Sequence, residues 1–470
     1  MGDKKSLTVG LVNEIDDLDP RNPQEFAALQ VLLQVFETPY SLPLEGRSSR
    51  PQLFSSPLQR IEDGEDGMAF AASVRSGVEF SDGTALTAER MVASYEGALP
   101  EGVSAEARDG EVVFTLDNPN PRFHHQLIQA PYAVVLEKGG ALLGTGPFVH
   151  DPTSTAEEIR LTRNERYRDE VPLDEIVFRV YPVDEDGRPT ALLEAIQSGE
   201  VDLCSVLGRE DLAELTMVRK FILPGASTTL LYFNTDREVL GDPRMRKALA
   251  LAVDRRELTK ICYANSFAFV ASGPLPPFME RAHDDLDPDP EGAEELLSEL
   301  DLPDRLELMR VWGPRPYLPK PVEVSEALGE RFRELGIELE ITAARDPDDY
   351  FRRVSRGDAD LFLSGWAAET TDPSVYLDAI LSSRWIPRPG NVTSRANLAR
   401  YESEAMDAAL DRYRSGARDD TSEILEILSE EVPFLPVMYG AAVYVHSFRV
   451  RSFTPSPLGW TVLGDVDLAD

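Results

Sequence analysis

The sequence predicts an α/β protein that is built from more than one compact lobe. Apolar residues recur with helical spacing in two stripes, 293–300 and 324–335. The second stripe ends at Gly336 and runs directly into an alternating strand, 337–341. A helix that ends in glycine and feeds a strand is typical of α/β construction. Because 470 residues are too many for one core, two or three lobes are expected.

Three helix starts are marked by the same dipeptide. An aspartate is followed by proline at Asp242-Pro243, Asp289-Pro290 and Asp346-Pro347. The aspartate carboxylate accepts free backbone N–H groups at a helix start, and proline loses no hydrogen bond at the first helical position. The sequence therefore predicts that helices begin at these three prolines.

Composition and charge exclude several classes of protein. Hydrophobic residues make up 42% of the chain, enough to fill folded cores and too many for a disordered chain. The longest apolar run, 434–445, is too short to span a bilayer. The net charge is −36, from 83 acidic and 47 basic residues. A field of this sign repels phosphate backbones and anionic membranes, so no nucleic-acid partner is expected.

The two cysteines and the first residues bear on the compartment. Cys204 lies in a strand-like segment and Cys262 follows a helix-like one, so we expect two buried thiols rather than a disulfide. Residues 1–6 contain neither a charged segment followed by an apolar one nor a lipobox cysteine. Two explanations stay open: an export signal has been removed, or the protein remains inside the cell.

Sequence signatures of catalysis and of cofactor binding are absent. There is no Gly-x-x-x-x-Gly-Lys-Ser/Thr phosphate loop, and Gly144-Thr145-Gly146 runs into proline, which suits a tight turn better. There is no Gly-x-Ser-x-Gly nucleophile motif either. No nucleophile and base stand at a recognisable spacing. We therefore expect a protein that is not an enzyme and carries no cofactor.

Metal binding is not expected. The acidic run Asp285, Asp287, Asp289 imitates the start of a calcium loop, but proline replaces its glycine, and Leu296 its bidentate glutamate. His124 and His125 are adjacent, so on a strand or a helix their side chains diverge and do not form a metal site alone. A site for a metal such as nickel at this pair is disfavoured for the same reason.

A series of short motifs carries a family resemblance along most of the chain. The motifs are Leu18–Pro20, Gln34–Thr38, Val74–Thr84 with Leu86–Ala88, Gly144–Phe148, Phe233–Thr235, and Asp242–Leu249 with Ala252–Arg255. In this order they resemble the family 5 extracellular solute-binding proteins, which are peptide, nickel and oligosaccharide receptors of ABC importers. Within these motifs, we interpret Asn234 and Asp254 as residues that fasten the lobe structure.

The resemblance implies a two-lobed periplasmic-binding-protein-like fold of type II, cluster C. It also implies that an extra subdomain interrupts the first lobe, and the many turn signals after residue 42 place it there. The expected divisions are the first part of lobe I at 1–41, the inserted subdomain at 42–145, the second part of lobe I at 146–235, lobe II at 236–440, and a C-terminal return to lobe I at 441–470.

Two segments predict a ligand site. In the run from Ser364 to Pro373, Trp366 stands three residues before Glu369, and an aromatic face beside an anion can hold an amino terminus. Residues 311–319 resemble the Arg-Pro-Tyr-x-Pro loop of the dipeptide-receptor branch. That resemblance implies that Arg315 pairs with the ligand carboxylate. In the same branch an aspartate in a Gly-Trp-x-x-Asp loop pairs with the ligand amino group, and in the matching run of this chain, Gly365-Trp366-x-x-Glu369, Glu369 stands in place of that aspartate.

Several alternatives remain for these residues. Glu369 is one methylene longer than the usual aspartate, so Asp372 is the alternative anion. Tyr317 and Trp385 are candidates for stacking walls, with a core role as the alternative. Arg315 has the alternative of a surface salt bridge, because acidic residues are abundant.

The expected function is capture of a small peptide or peptide-like solute between two closing lobes, followed by delivery to an ABC permease. We expect a monomer in the periplasm or anchored by lipid to the outer cell surface, with a cytoplasmic location as the alternative. The rival cargoes are an oligosaccharide, an opine or a metal chelate. The rival class is an intracellular ligand-sensing domain of a regulatory protein.

Overall fold

The structure is a computed structural model that divides the chain into two units. It describes residues 4–15, 17–22, 26–45, 47–61, 68–184, 188–263, 269–279, 288–315, 317–368, 370–388 and 396–469. Unit 1 comprises Met1–Ile222 and Ala442–Asp470, and unit 2 comprises Leu223–Ala441. The predicted division of the chain into five segments, with 236–440 as the second lobe, stays a prediction.

Strands occur throughout both units. In chain order they are β1 (Ser6–Leu11), β2 (Gln59–Ile61), β3 (Met68–Ser73), β4 (Val103–Arg108), β5 (Glu111–Leu116), β6 (Leu136–Lys138), β7 (Ala141–Leu143), β8 (Phe148–His150), β9 (Glu158–Arg163), β10 (Glu175–Val180), β11 (Leu203–Cys204), β12 (Val218–Phe233), β13 (Arg305–Arg310), β14 (Glu338–Ala343), β15 (Leu361–Ala367), β16 (Phe434–Ser447), β17 (Val450–Ser452) and β18 (Asp467–Leu468).

The α-helices are short, with α8 the longest of those described. In chain order they are α1 (Phe26–Val35), α2 (Ala88–Ser94), α3 (Thr190–Ser198), α4 (Arg209–Glu214), α5 (Pro243–Ala252), α6 (Arg255–Tyr263), α7 (Pro290–Ser298), α8 (Pro321–Glu334), α9 (Pro347–Arg356), α10 (Pro373–Leu381), α11 (Glu404–Arg414) and α12 (Ser422–Glu431).

Unit 1 is organised around a mixed sheet with the strand order β11-β1-β10-β9-β8. Strand β1 is parallel to β10 and β11, while β9 is antiparallel to β10 and β8. Alternate residues Leu7, Val9 and Leu11 of β1 are buried, and they pack with Val31 and Leu32 of α1 in one core cluster. The alternation follows from the period-two pattern of the strand, and the opposite face of β1 is also covered, because Gly10 is buried against Leu192 and Val201.

The Gly144–Phe148 motif has a structural role in unit 1. A Cβ on Gly144 would lie 1.9 Å from the carbonyl oxygen of Val35, at the end of α1, so only glycine fits there. The N–H of Gly146 donates to the same carbonyl at 2.9 Å. Between them, the Thr145 hydroxyl donates to buried Glu37 at 3.0 Å. The motif is therefore a close backbone crossing, in which residues 145–147 bend without the tight hydrogen-bonded turn that the sequence predicted.

A second, antiparallel sheet of unit 1 has the strand order β2-β3-β5-β4. Its core is an aromatic cluster in which the rings of Phe114, Phe123 and Tyr132 meet edge to face. This sheet lies within the segment 42–145 that was predicted to form an inserted subdomain. The limits of that subdomain stay a prediction.

Unit 2 has the strand order β14-β13-β15-β12, with β13 parallel to both of its neighbours and β15 antiparallel to β12. The parallel pairs require crossovers, and helices α8 and α9 supply them. The predicted stripe Val324, Leu328 and Phe332 lies on the buried face of α8. The predicted α/β fold class is confirmed, because both units combine β-strands in a mixed sheet with α-helices.

The three predicted helix starts are confirmed. Asp242, Asp289 and Asp346 each accept a backbone N–H with the side-chain carboxylate, at the start of α5, α7 and α9 respectively. Asp285 and Asp287, which imitate a calcium loop together with Asp289, lie outside the described residues. Asp289 itself is the N-cap of α7.

Asn234 and Asp254 fasten unit 2, as predicted. The buried Asn234 side chain donates to the carbonyl of Ala359 at 2.8 Å, and Asp254 accepts the N–H of Arg256 at the start of α6. The cysteines are also as predicted, because Cys204 and Cys262 are both buried and no disulfide joins them. Cys204 lies in a core cluster of unit 1 and Cys262 in the core of unit 2.

Candidate functional site

The candidate site lies in unit 2, on the loop that follows β13. The loop is closed by a reciprocal pair of backbone hydrogen bonds, in which Arg315 N–H donates to Leu318 and Leu318 N–H donates to Arg315, both at 3.0 Å. The Leu318 side chain is fully buried, which anchors the loop in the core. The backbone of Arg315 is therefore fixed before any ligand arrives.

The guanidinium group of Arg315 lies against the face of Trp312. Its Cζ is 3.8 Å from the centre of the indole ring, which is a close cation–π contact. The Arg315 Nε is buried and has no hydrogen-bond acceptor. Among the residues that the structure describes, no carboxylate forms an ion pair with this arginine. The predicted alternative, a surface salt bridge, therefore has no partner in this part of the chain.

Tyr317 packs the loop against β15. Its ring lies against Gly365, where an added Cβ would come within 2.6 Å of ring atom Cδ2. Its carbonyl accepts the hydroxyl of Thr229 on β12. Burial raises the pKa of Tyr317, while a hydrogen bond with Ser364 and the positive charge of Arg315 act in the opposite direction. These contacts give Tyr317 a structural role, and its predicted stacking on a ligand stays a prediction.

Trp366 is the residue after Gly365, near the end of β15. It is opposite Thr228 of β12 in the strand register and is half-buried. Its ring meets that of Tyr376 edge to face, with centroids 6.1 Å apart. The structure thus brings the Arg315 loop and Trp366 to one region, because Tyr317 packs on the residue next to Trp366. Glu369, the predicted partner of the ligand amino group, lies outside the described residues.

Asp372 is the N-cap of α10. Its Oδ1 accepts the backbone N–H of Ser374 at 2.9 Å and the Ser374 hydroxyl at 2.7 Å, and the residue is fully buried. The pair Asp372-Pro373 repeats the dipeptide that predicted three other helix starts, so the sequence already contained the signal for this role. A contact with ligand through Asp372 stays a prediction.

Trp385 is held by Asp378 of α10. Its indole N–H donates to Asp378 Oδ2 at 2.7 Å, and the same carboxylate pairs with Arg384 and Arg414. The Arg384 guanidinium lies 5.4 Å from the centre of the Trp385 ring. A hydrogen bond with the same helix therefore fixes the indole, and its predicted role as a stacking wall stays a prediction.

Trp312 is the residue of this region that the sequence reasoning missed. It lies three residues before Arg315 in the same short, proline-containing run, and this spacing was the available signal. The tryptophan contacts both Arg315 and the buried Tyr350 ring of α9, whose centroid is 5.7 Å from that of the indole.

Neither a metal-binding cluster nor a membrane-spanning helix is found among the described residues. No group of three or more His, Cys, Asp or Glu side chains in the described ranges is arranged to hold a metal ion. The prediction that the side chains of His124 and His125 diverge is wrong: both residues lie in a short 3₁₀ helix of unit 1, Phe123–Ile128, and their imidazole rings are in contact, with centroids 4.1 Å apart. Among the described helices, none has the length and apolar character that crossing a membrane requires.

Comparison with known proteins gives relatives along most of the chain. Heme-binding protein A of Haemophilus influenzae is 26% identical over 332 residues, which cover 68% of this chain and 58% of that relative, so the chain spans about 58% of its length. The probable di/tripeptide-binding protein 5 of Pseudomonas aeruginosa is 24% identical over 461 residues, with coverage of 85% and 84%.

Among solved structures, HbpA2 from Haemophilus parasuis has the same fold. Its TM-score is 0.83 at 20% sequence identity, and the match covers 99% of this chain and all of that one. The family model described as bacterial extracellular solute-binding proteins, family 5 Middle, matches residues 50–387, more than half of the chain. The chain belongs to the family 5 bacterial extracellular solute-binding proteins.

Proposed function

We propose that this protein is the substrate-binding component of an ABC importer, and that it captures a small peptide or peptide-like solute by the charged ends of the ligand. Arg315 binds the ligand carboxylate. Glu369 and the face of Trp366 receive the ligand amino group. The protein delivers its cargo to a permease and performs no chemical step itself.

The observation that carries the proposal is the state of Arg315. The chain has 83 acidic residues, yet no described carboxylate pairs with this guanidinium. A half-buried cation with an unsatisfied buried N–H group costs folding free energy, on the order of 1–3 kcal/mol for the N–H group alone. A ligand carboxylate supplies both the missing charge and a hydrogen-bond acceptor, and the guanidinium fork binds it in a bidentate way.

Trp366 and Glu369 are the proposed partners of the amino end of the ligand. Trp366 is half-buried, and one side of its ring is taken up by Tyr376. An ammonium group is attracted both to an indole face and to a nearby carboxylate. Glu369 comes from the sequence pattern alone, three residues after Trp366. A ligand with a carboxylate at one end and an amine at the other fits this pair of charges.

The names of the relatives support two cargoes. The Pseudomonas aeruginosa relative is named for di- and tripeptides, and the Haemophilus influenzae relative for haem. Haem, a metal chelate, carries carboxylates that Arg315 could also bind, so a metal chelate is the rival cargo. The free amine of a peptide separates the two, because haem has none and gains nothing from Glu369.

The proposed location is the periplasm or the outer cell surface, in agreement with the family description, with a lipid anchor as one way to reach the surface. The proposed partners are the permease subunits of an ABC importer, and the protein is proposed to act as a monomer. An intracellular sensor domain is the rival class. A permease gene beside the coding sequence favours the importer, and a fused effector domain favours the sensor. Closure of the lobes on the ligand stays a prediction.

Ligand screening by thermal shift tests the proposal. At about 100 times its dissociation constant, a ligand adds about 2.7 kcal/mol to the free energy of unfolding. We expect hits among di- and tripeptides. Arg315→Ala should then weaken binding of free-acid peptides by roughly 2–5 kcal/mol and change binding of C-terminally amidated peptides much less.

Glu369→Gln should show the mirror pattern, with weaker binding of free-amine peptides and little change for N-acetylated ones. Arg244→Ala is the matched control, because that arginine is exposed and pairs with Asp242. A thermal shift with haem and none with peptides would show that the cargo is a metal chelate and not a peptide. If both charge-removing variants bind every ligand as the parent does, the proposed charge pair is wrong.

A further inference from the structure

We infer that Trp312 is a positioning residue for Arg315, and that it sets how strongly the site prefers ligands with a free carboxylate. The inference rests on the proposed function, since it assumes that Arg315 receives the ligand carboxylate. It adds a residue to which no sequence pattern assigned a role.

Trp312 is itself held by the core of unit 2. Its ring packs against that of Tyr350, which is buried on α9, and the Tyr350 ring in turn meets Phe351 edge to face. The indole therefore has a fixed support on one side. The same indole ring is in contact with Arg315, whose Cζ lies 3.8 Å from the ring centre.

This contact fixes the arginine in two ways. The guanidinium loses rotamer freedom before the ligand binds, and an arginine side chain has about 2 kcal/mol of such entropy to lose. The indole also excludes water from one face of the group, which strengthens a charge interaction at the edges that remain. Since the Arg315 backbone is closed by two hydrogen bonds to Leu318, both ends of the residue are restrained.

The contact with Trp312 also decides which N–H groups of Arg315 are left to bind a ligand. All N–H groups of a guanidinium point outward in its own plane, so an indole on its face cannot accept them. The Nε of Arg315 is buried, so the terminal N–H groups that do not point at the indole are the ones left for a planar acceptor. A carboxylate matches a pair of such groups with two parallel hydrogen bonds. Trp312 thereby favours an in-plane approach by a carboxylate.

Two measurements test the role of Trp312, and one of them needs no ligand. The first is labelling of arginines by phenylglyoxal, followed by peptide mapping. Arg315 should be labelled slowly in the parent protein, faster in Trp312→Leu, and at close to the parent rate in Trp312→Phe, which keeps an aromatic face. The exposed Arg244 serves as the internal reference.

The second measurement is calorimetry with a peptide that binds the parent, as the free acid and as the C-terminal amide. Trp312→Leu should weaken binding of the free acid by about 10-fold, within the range of a partly desolvated cation–π contact, and leave binding of the amide nearly unchanged. Trp312→Phe should restore most of the preference. Trp460→Leu, a tryptophan replacement in unit 1, is the control and should keep the parent values.

The possible failures are distinct. If the parent itself shows no preference for the free acid, the proposed carboxylate site at Arg315 is wrong. If the parent shows the preference and Trp312→Leu keeps it, or if the labelling rate of Arg315 does not change, the positioning role of Trp312 is wrong. Trp312→Met, a second replacement without an aromatic face, carries the same two tests should the leucine variant not fold.

Discussion

The substitution Gly365→Ala tests the contact that seats the Arg315 loop on β15. An ideal Cβ at this position would lie 2.4 Å from the backbone oxygen of Thr228 and 2.6 Å from Cδ2 of Tyr317. Real Cβ atoms essentially never come closer than 3.0 Å, so these atoms must retreat by about 0.6 and about 0.4 Å. Neither atom is the end of a flexible chain, since one is backbone and the other belongs to a ring.

The expected cost is therefore that of overpacking a well-filled site, about 1–3 kcal/mol in the free energy of unfolding. Part of it should disappear when the ring is removed. In a Tyr317→Ala background, we expect Gly365→Ala to cost at least about 1 kcal/mol less than in the parent, because neighbouring substitutions couple by such amounts. The clash with the Thr228 oxygen remains in both backgrounds.

Urea denaturation of the four proteins, followed by circular dichroism, measures this coupling. The same preparations can be titrated with a free-acid peptide, and Gly365→Ala should weaken binding because the displaced ring carries the Arg315 loop with it. An equal cost of Gly365→Ala in both backgrounds would show that the Tyr317 ring does not fill this space. If Gly365→Ala leaves the urea midpoint of the parent unchanged, the predicted overpacking at this position is wrong.

Two further predictions concern pH and salt. Burial lowers the pKa of His125 to about 4 from its ordinary value of 6.5. The unfolded state therefore takes up a proton at this histidine first, and His125 alone should contribute roughly 2–3 kcal/mol to the fall in the free energy of unfolding from pH 7 to pH 4.5. In melts at several pH values, His125→Gln should show a smaller fall than the parent, and an equally steep fall would contradict the prediction. With a net charge of −36, the melting temperature should rise between 0.05 and 1 M NaCl as screening reduces self-repulsion, and a fall would mean that screened ion pairs dominate.

Helix starts were the most predictable feature of this chain, for a local reason. An aspartate cap and its N–H donor are two or three residues apart, so Asp242, Asp289 and Asp346 could be identified without tertiary information. Asp372 obeys the same rule, and its place between Trp366 and α10 had suggested a ligand role instead. Local geometry alone accounts for the position of this carboxylate.

Contacts between distant segments could not be predicted in this way. Tyr317 and Gly365 meet only because the loop after β13 lies over β15, and the pairing of Glu37 with Arg168 joins residues 131 positions apart. Such contacts depend on strand register and on how the elements pack, and neither is readable from one sequence. The same limit hid Trp312: its spacing from Arg315 was visible, but whether the two side chains meet depends on the shape of the loop.

The two buried cysteines allow the stability of each unit to be measured separately, because one of them lies in each unit. A thiol reacts with maleimides or disulfide reagents only as the exposed thiolate, and burial raises the pKa of Cys204 to about 12, so in the native state this residue is doubly protected. Cys262 is equally enclosed, in the core of unit 2. Labelling followed by mass mapping would therefore give the opening free energy of each unit separately, from Cys204 for unit 1 and from Cys262 for unit 2, without any engineered probe.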